Sequence, residues 1–237
     1  MGDKQLEGAI WVGAKVLTAE IDIDRVLGSA LLPNGIELDA TGKATVFVAD
    51  YPQTTFGSIY REAAVILHCT DSKGSLRHCP WMVVDDDTAL ILGRELLGFP
   101  KKMADISLVE EGGRVKGTVS RKGADLIDLE GVVGESILAP KPLFAHRMVN
   151  LFGSIIGGMK LLELASTTEL IHEARSVDLK VVMGSSDKDQ LGIEACSIET
   201  KGQLLLMDFG GPNGAVPELT SEVDETWSAG RFFSRAL

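Results

Sequence analysis

Two lysines stand side by side in an apolar stretch. Residues 93–106 read GRELLGFPKKMADI, with Lys101 and Lys102 directly behind Pro100 and with Leu96, Leu97, Phe99 and Met103 around them. The preceding DDDTALILGRELLG reads as a helix: Asp86 or Asp87 can cap its start, and Gly98 can end it in a left-handed conformation. Pro100 forbids continuation and biases Phe99 toward extended backbone. The lysines are therefore predicted to open a strand that runs through MADISLVE. Successive strand residues point to opposite faces, so only one of the two can enter a given pocket. Burial there disfavours the ammonium form relative to the free amine. A free amine attacks a carbonyl carbon and forms an imine, and a protonated imine is an electron sink for breaking a neighbouring bond. The alternative is a pair of solvated lysines whose stems lie along an apolar patch.

Other residues of suitable type are less suggestive. His68-Cys69 and His78-Cys79 place four possible ligands on two predicted strands. Their spacing matches none of the common zinc patterns, and consecutive strand residues diverge, so no metal is expected. His172-Glu173 could supply an acid or base, or a cross-strand structural pair. FGSIIGGMK is glycine-rich but has neither the Walker nor the dinucleotide spacing, and reads as a flexible loop or bend. Trp81 and Met82 either line a pocket or fill core.

The elements that must position these residues are mostly strands. KATVFVADY, SIYREAAVILHCT and LRHCPWMVV carry strand composition, with DSKGS as a turn between the last two. GRVKGTVS and ADLIDLEGVV flank the turn RKG, and TELIHEARSVDLKVVMG and LGIEACSIETKGQLLLMDF add more strands, with TKG as a hairpin turn. Residues 22–32 read as a short amphipathic helix with Ile23, Val26, Leu27, Ala30 and Leu31 on one face. SEVDETWSAGRFFSRAL reads as a terminal helix capped by Ser221, and 139–162 fits no element. The expected fold is mainly β (α+β), an antiparallel barrel or cone-like sheet with a few short helices. No repeat or linker divides residues 1–237, which read as one domain.

The chain has 34 acidic and 23 basic residues, a formal charge of −11. Such a surface repels phosphate backbones and argues against nucleic-acid binding. An anionic substrate would need a local cation, which returns attention to Lys101 and Lys102. No apolar run reaches the ~18 residues of a membrane helix, and the N-terminus has no signal or myristoylation pattern. Three widely spaced cysteines make a disulfide framework improbable, and a reducing cytoplasm is expected.

DDDTALILGRELLGFPKKMA resembles the signature of the acetoacetate decarboxylase superfamily. There, Gly-Arg-Glu, a short apolar spacer, an aromatic-Pro-Lys-Lys and a small or apolar pair follow an acidic turn. GSIYREAAVIL resembles the family strand that carries Tyr-x-Glu, here Tyr60 and Glu62, and TTELIHEA at 167–174 resembles a later family strand. The likeness touches most of the chain and is most specific over 57–106. It implies that Lys101 is the imine-forming lysine, Lys102 its supporting neighbour and Glu62 the active-site glutamate. Activation of such a lysine is an established property of acetoacetate decarboxylase, not something the spacing here reveals. Phe99, Tyr60, Phe47 and Met82 are the implied substrate-binding residues, and Arg94 and Glu95 a helix-end ion pair outside the pocket. A small keto-acid substrate, no cofactor, and a homo-oligomer with FGSIIGGM and RFFSRAL at its interfaces complete the picture.

Two departures bear on the reaction. The decarboxylases pair their glutamate with an N-terminal arginine, whereas EGAIWVGAKVLTAEI has none; Lys15 is the nearest cation, and Arg25 lies in the predicted helix. Their second glutamate falls on Phe47 in TVFVADY. Imine chemistry needs only the amine, a dry pocket and a proton shuttle. Decarboxylation of a β-keto acid, a pyruvate-type aldolase, dehydratase or hydratase reaction, and a non-catalytic ligand-binding relative all stay open.

Overall fold

The structure is a computed structural model that describes residues 6–154, 156–194, 196–210 and 217–236, the side chains of 232–236 excepted. It is mostly strand. In chain order the elements are β1 (Trp11–Asp22), α1 (Arg25–Ala30), β2 (Glu37–Leu38), β3 (Lys43–Tyr51), β4 (Gln53–Thr54), β5 (Tyr60–Asp71), β6 (Gly74–Val84), α2 (Asp87–Leu97), β7 (Lys101–Met103), β8 (Asp105–Glu111) and β9 (Arg114–Arg121). There follow β10 (Ala124–Ser136), β11 (Met148–Ser154), β12 (Gly158–Leu164), β13 (Thr168–Met183), β14 (Cys196–Gly210), β15 (Glu218–Glu222) and α3 (Glu225–Ala236).

All fifteen described strands join one sheet, whose main path runs β15-β12-β11-β6-β5-β3-β1-β14-β13-β10-β9-β8, with β2 on β5, β4 on β1 and β7 on β6 beside it. The expected mainly β fold with a few short helices is borne out, and the sheet departs from an antiparallel barrel in two details. The sheet is mixed, since β7 and β11 both pair parallel to β6. Nor does it close: β7 pairs with β6 and β8 with β9, and Ala104 separates them. The predicted strand from Lys101 through MADISLVE is thus two strands serving two partners.

The central strands are buried on both faces, which is why they read as near-continuous apolar runs. Along β5, Ala63, Val65, Leu67 and Cys69 enter one core, and Tyr60, Ala64 and Ile66 enter a second core on the opposite face. Along β3, Ala44, Val46 and Val48 go to the first, while Phe47, Ala49 and Tyr51 go to the second. This period of two decides which side chains can meet.

Several local expectations needed tertiary correction. α1 is shorter than residues 22–32 and does not bury the expected face: Val26 is 79% exposed, whereas Ile23 and Leu31 are buried beside the helix. Its inward residue is Gly28, where an added Cβ would lie 2.9 Å from Ile23 Cδ1. TKG makes no hairpin. Thr200, Lys201 and Gly202 run inside β14, paired to β13 on one side, and Gly202 also to β1 on the other. There glycine serves close approach instead, since a Cβ would sit 2.8 Å from the Thr18 carbonyl oxygen. Ser221 lies in β15, and the cap of α3 is Asp224, whose Oδ1 accepts from Trp227 N at 2.8 Å. The unassigned 139–162 contains β11 and most of β12, an antiparallel pair; of FGSIIGGMK, residues 152–154 lie in β11 and 158–160 in β12.

Candidate functional site

Helix α2 and the turn behind it aim the lysines. Asp86 Oδ1 caps α2 by accepting from Ala89 N at 2.8 Å, and Gly98 ends it at φ 65°. A side chain at Gly98 would be strained by that φ and would also press a Cβ to 2.6 Å from the Leu151 carbonyl oxygen. Phe99 and Pro100 then carry the chain into β7, where Lys101 pairs with Met82 and Lys102 with Val83. Met82 belongs to the second core and Val83 to the first, so neighbouring lysines are sent to opposite sides of the sheet.

Lys101 meets Glu62. Its Nζ lies 2.7 Å from Glu62 Oε2, and both side chains are buried, 6% and 7% exposed. The contact has ion-pair distance but falls outside hydrogen-bond angles, leaving Oε2 without a hydrogen-bond partner. The same Nζ stands 5.3 Å from the centre of the Tyr60 ring, within cation–π range. Glu62 Oε1 accepts from Tyr51 Oη at 3.3 Å, and Tyr60 Oη accepts from Trp11 Nε1 at 2.9 Å. Burial, reinforced by the Glu62 carboxylate, pushes both tyrosine hydroxyls far above their ordinary pKa, so they remain protonated donors. Arg94 Nη1 donates to the Lys101 carbonyl oxygen at 3.0 Å, tying α2 to the start of β7. Gly93 brings α2 against the lysine stem: a Cβ there would lie 2.5 Å from Lys101 Cδ and Cε.

A cavity of about 230 Å³ opens over this pair. Its buried floor includes Tyr51, Glu62, Ile66, Met82, Lys101 and Met148. Toward the mouth stand Trp11, Phe144, His146, Leu164, Thr167 and Pro217, all partly exposed. Trp11 stacks on Phe209, with centroids 4.6 Å apart and planes at 7°, and Phe144 lies 4.5 Å from Phe209. Burial and the nearby Arg77 lower the pKa of His146, favouring the neutral imidazole. Among the described lining residues, Lys101 is the only lysine or arginine.

Lys102 enters a different environment. Its Nζ donates to the Lys188 carbonyl at 3.1 Å and lies 3.2 Å from Asp189 Oδ1. Asp189 also receives Arg121 Nη1 at 2.8 Å and Trp81 Nε1 at 2.9 Å. Burial pushes the Asp189 carboxyl up, but Trp81, Lys102 and Arg121 outweigh it and hold the group below the usual carboxylate range. For Lys102 the balance runs the other way: desolvation lowers its pKa against the pull of Asp189.

Of the residues expected around a substrate, Phe99 and Met82 line the cavity, and Tyr60 lies beneath Lys101. Phe47 is fully buried on the same side but outside the lining; it packs edge-on to Phe144 at 5.6 Å. The other candidates hold protein partners. His68 Nε2 contacts Thr45 Oγ1 at 2.8 Å, His78 Nδ1 contacts the Val149 carbonyl at 2.8 Å, and Cys79 Sγ donates to the Trp81 carbonyl at 3.4 Å. Burial pushes the Cys69 thiol up to about 12. His172 sits at a bulge in β13 and reaches Asp208 of β14 at 3.1 Å, while Glu173 pairs with Arg175 at 2.7 Å. Tyr51, Trp11, Phe144, His146 and Phe209 escaped the sequence reading. Only Tyr51 left a signal, as the next residue of Phe47 parity beyond Ala49 on β3, and it becomes visible once its pairing with Tyr60 is known.

The fold and the buried lysine–glutamate pair define a class, and comparison supplies the family. Residues 4–176 match the family described as acetoacetate decarboxylase (ADC), and the chain belongs to that family. Acetoacetate decarboxylase 3 of Mesorhizobium japonicum is 34% identical over 91 residues, covering 38% of this chain and 35% of that protein. The matched stretch therefore spans about a third of that relative's length. The crystal structure of acetoacetate decarboxylase from Legionella pneumophila superimposes with a TM-score of 0.75 at 16% identity, over 91% of this chain and 88% of that one. The enduracididine biosynthesis enzyme MppR, in complex with the condensation product of pyruvate and imidazole 4-carboxaldehyde, gives 0.75 at 17% identity over 93% and 92%. At such identities these likenesses speak for the fold alone.

Proposed function

We propose that this chain is a Schiff-base-forming carbon–carbon lyase that decarboxylates a β-keto acid through an imine on Lys101. The observation that carries the reading is the buried 2.7 Å contact of Lys101 Nζ with Glu62 Oε2 at the floor of an apolar cavity. Glu62 takes a proton from the Lys101 ammonium, and the free amine attacks the ketone carbon. Water leaves, forming a C=N bond with a protonated nitrogen. The bond between the α-carbon and the carboxylate breaks, its electron pair flows to the imine nitrogen, and carbon dioxide departs. The proton that Glu62 took leaves with that water; Glu62 then relays a proton from solvent to the enamine carbon, and water hydrolyses the protonated imine to the ketone and the Lys101 ammonium. The apolar wall assists because it stabilises neutral carbon dioxide and enamine better than it stabilises a carboxylate. Lys102, held by Asp189, anchors β7 rather than reacting.

The test is incubation with acetoacetate, reduction with borohydride, and peptide mapping alongside carbon dioxide release. A reduced adduct on Lys101 with carbon dioxide evolution is expected. An adduct on Lys102, or none with any keto acid, overturns the assignment. A second reading uses the same imine on pyruvate for aldol addition and dehydration. The observation favouring it is the lack of another lysine or arginine among the described lining residues, and MppR, of similar fold, has been captured with pyruvate. Carbon dioxide release distinguishes the two.

No helix among the described residues is long and apolar enough to cross a membrane. A cytoplasmic homo-oligomer belongs to the same proposal. Ile156, at the tip of the β11–β12 hairpin, is 96% exposed and suits an interface; the side chains of RFFSRAL beyond Arg231 lie outside the described residues.

A further inference from the structure

The aromatic groups of the cavity are not scattered. From Glu62 they continue through Tyr51, whose hydroxyl touches the carboxylate, to Phe209, whose ring centre is 5.7 Å from that of Tyr51. Trp11 then stacks on Phe209, and Phe144 closes against it. Trp11 and Phe144 reach the partly exposed mouth. An apolar wall thus runs from the reacting pair outward. A methyl ketone as small as acetoacetate covers the floor and leaves that wall facing water.

Charge bears on the same question. No lysine or arginine other than Lys101 appears among the described lining residues, and GPNGAV at 211–216, just before the lining residue Pro217, contains neither. Among the described lining residues a substrate carboxylate therefore meets no second such cation, and the binding these residues offer is apolar area, at roughly 25 cal/mol for each Å² removed from water.

Resting on the imine reading above, we infer that this site prefers a β-keto acid carrying an extended apolar substituent of aromatic size on the ketone carbon. The carbonyl meets Lys101, and the tail lies along Tyr51, Phe209, Trp11 and Phe144. The reaction balances as before: keto acid anion plus a proton gives ketone plus carbon dioxide.

The experiment compares acetoacetate with 3-oxo-5-phenylpentanoate, measuring kcat/KM for carbon dioxide release and, in parallel, the borohydride-reduced adduct on Lys101. The phenyl substrate is expected to exceed acetoacetate in kcat/KM by at least about tenfold, the effect of a well-filled apolar pocket. Phe144→Ala should shrink that ratio; the comparison in the unaltered protein decides the matter if the variant folds poorly. Adducts from both substrates with equal kcat/KM, or with acetoacetate favoured, overturn this inference and leave the imine reading standing. No adduct and no carbon dioxide from either substrate overturns both.

Discussion

Lys101 and Lys102 are adjacent in sequence, equally buried, and each faces an acid, yet their surroundings differ in kind. Lys102 sits in a network: Asp189 collects Lys102, Arg121 and Trp81, and the Lys188 carbonyl takes another Lys102 donor. Lys101 has one carboxylate, held from the other side by Tyr51, and an open cavity above it. A buried charge surrounded by fixed partners is held in place. A buried amine with one partner and room for a ligand can exchange that partner for a substrate. The contrast teaches that burial and a counter-ion do not distinguish the two lysines; the unfilled approach to the Lys101 nitrogen does, and the proposed function rests on it.

The largest expected effect comes from Lys101→Met. Carbon dioxide release should fall by at least about 10⁴-fold, and the borohydride adduct should vanish. An adduct appearing on Lys102 in this variant would break the comparison outright. Glu62→Gln should slow turnover by about 10²–10⁴ while the adduct still forms; wild-type turnover would make Glu62 a structural residue only.

Lys102→Met should act on stability. Breaking a buried pair costs about 3–5 kcal/mol, and Arg121 remains on Asp189, so the lower end is expected. Urea unfolding reads it, and retained adduct formation on Lys101 separates this lysine from its neighbour. The network is also sensitive to acid. Asp189 has its folded pKa below the unfolded value, so its contribution is present above about pH 4 and is lost as pH falls through the folded value. Lys102→Met should flatten that acid limb of the stability curve.

Gly93→Ala places a methyl 2.5 Å from the Lys101 stem. The flexible lysine moves, so stability changes little, but its nitrogen leaves Glu62. Turnover should drop by about 10²-fold, with slower labelling of Lys101; unchanged kinetics would show that the stem has slack. The smallest effect is Tyr51→Phe. It deletes one long hydrogen bond to Glu62 and should reduce turnover by roughly three- to tenfold.

Much of this organisation was legible in the chain itself. Asp86, Gly98 and Pro100 delimit α2 because capping, left-handed backbone and a missing N–H are local properties. The divergence of Lys101 and Lys102 follows from strand alternation, and Glu62 was located by its resemblance to a family strand. What failed depended on partners distant in sequence. TKG reads as a turn because glycine and lysine suit one locally, yet β1 and β13 hold Gly202 in a strand between them. The amphipathic face of α1 was overridden because Gly28 permits the closer approach. Residues 139–162 hold β11 and most of β12, which pair with each other and are flanked by β6 and β15.

The sequence by itself determined that one lysine of the pair would face inward and that an acid on a separate strand could meet it. Which lysine met which acid was decided by the parallel register of β7 on β6, and a shift of one residue would exchange them. The cavity was also a tertiary product. Trp11, Phe144 and Phe209 come from widely separated parts of the chain, and no local pattern marks their convergence, because apolar burial is non-directional and acquires a shape only when the strands are packed.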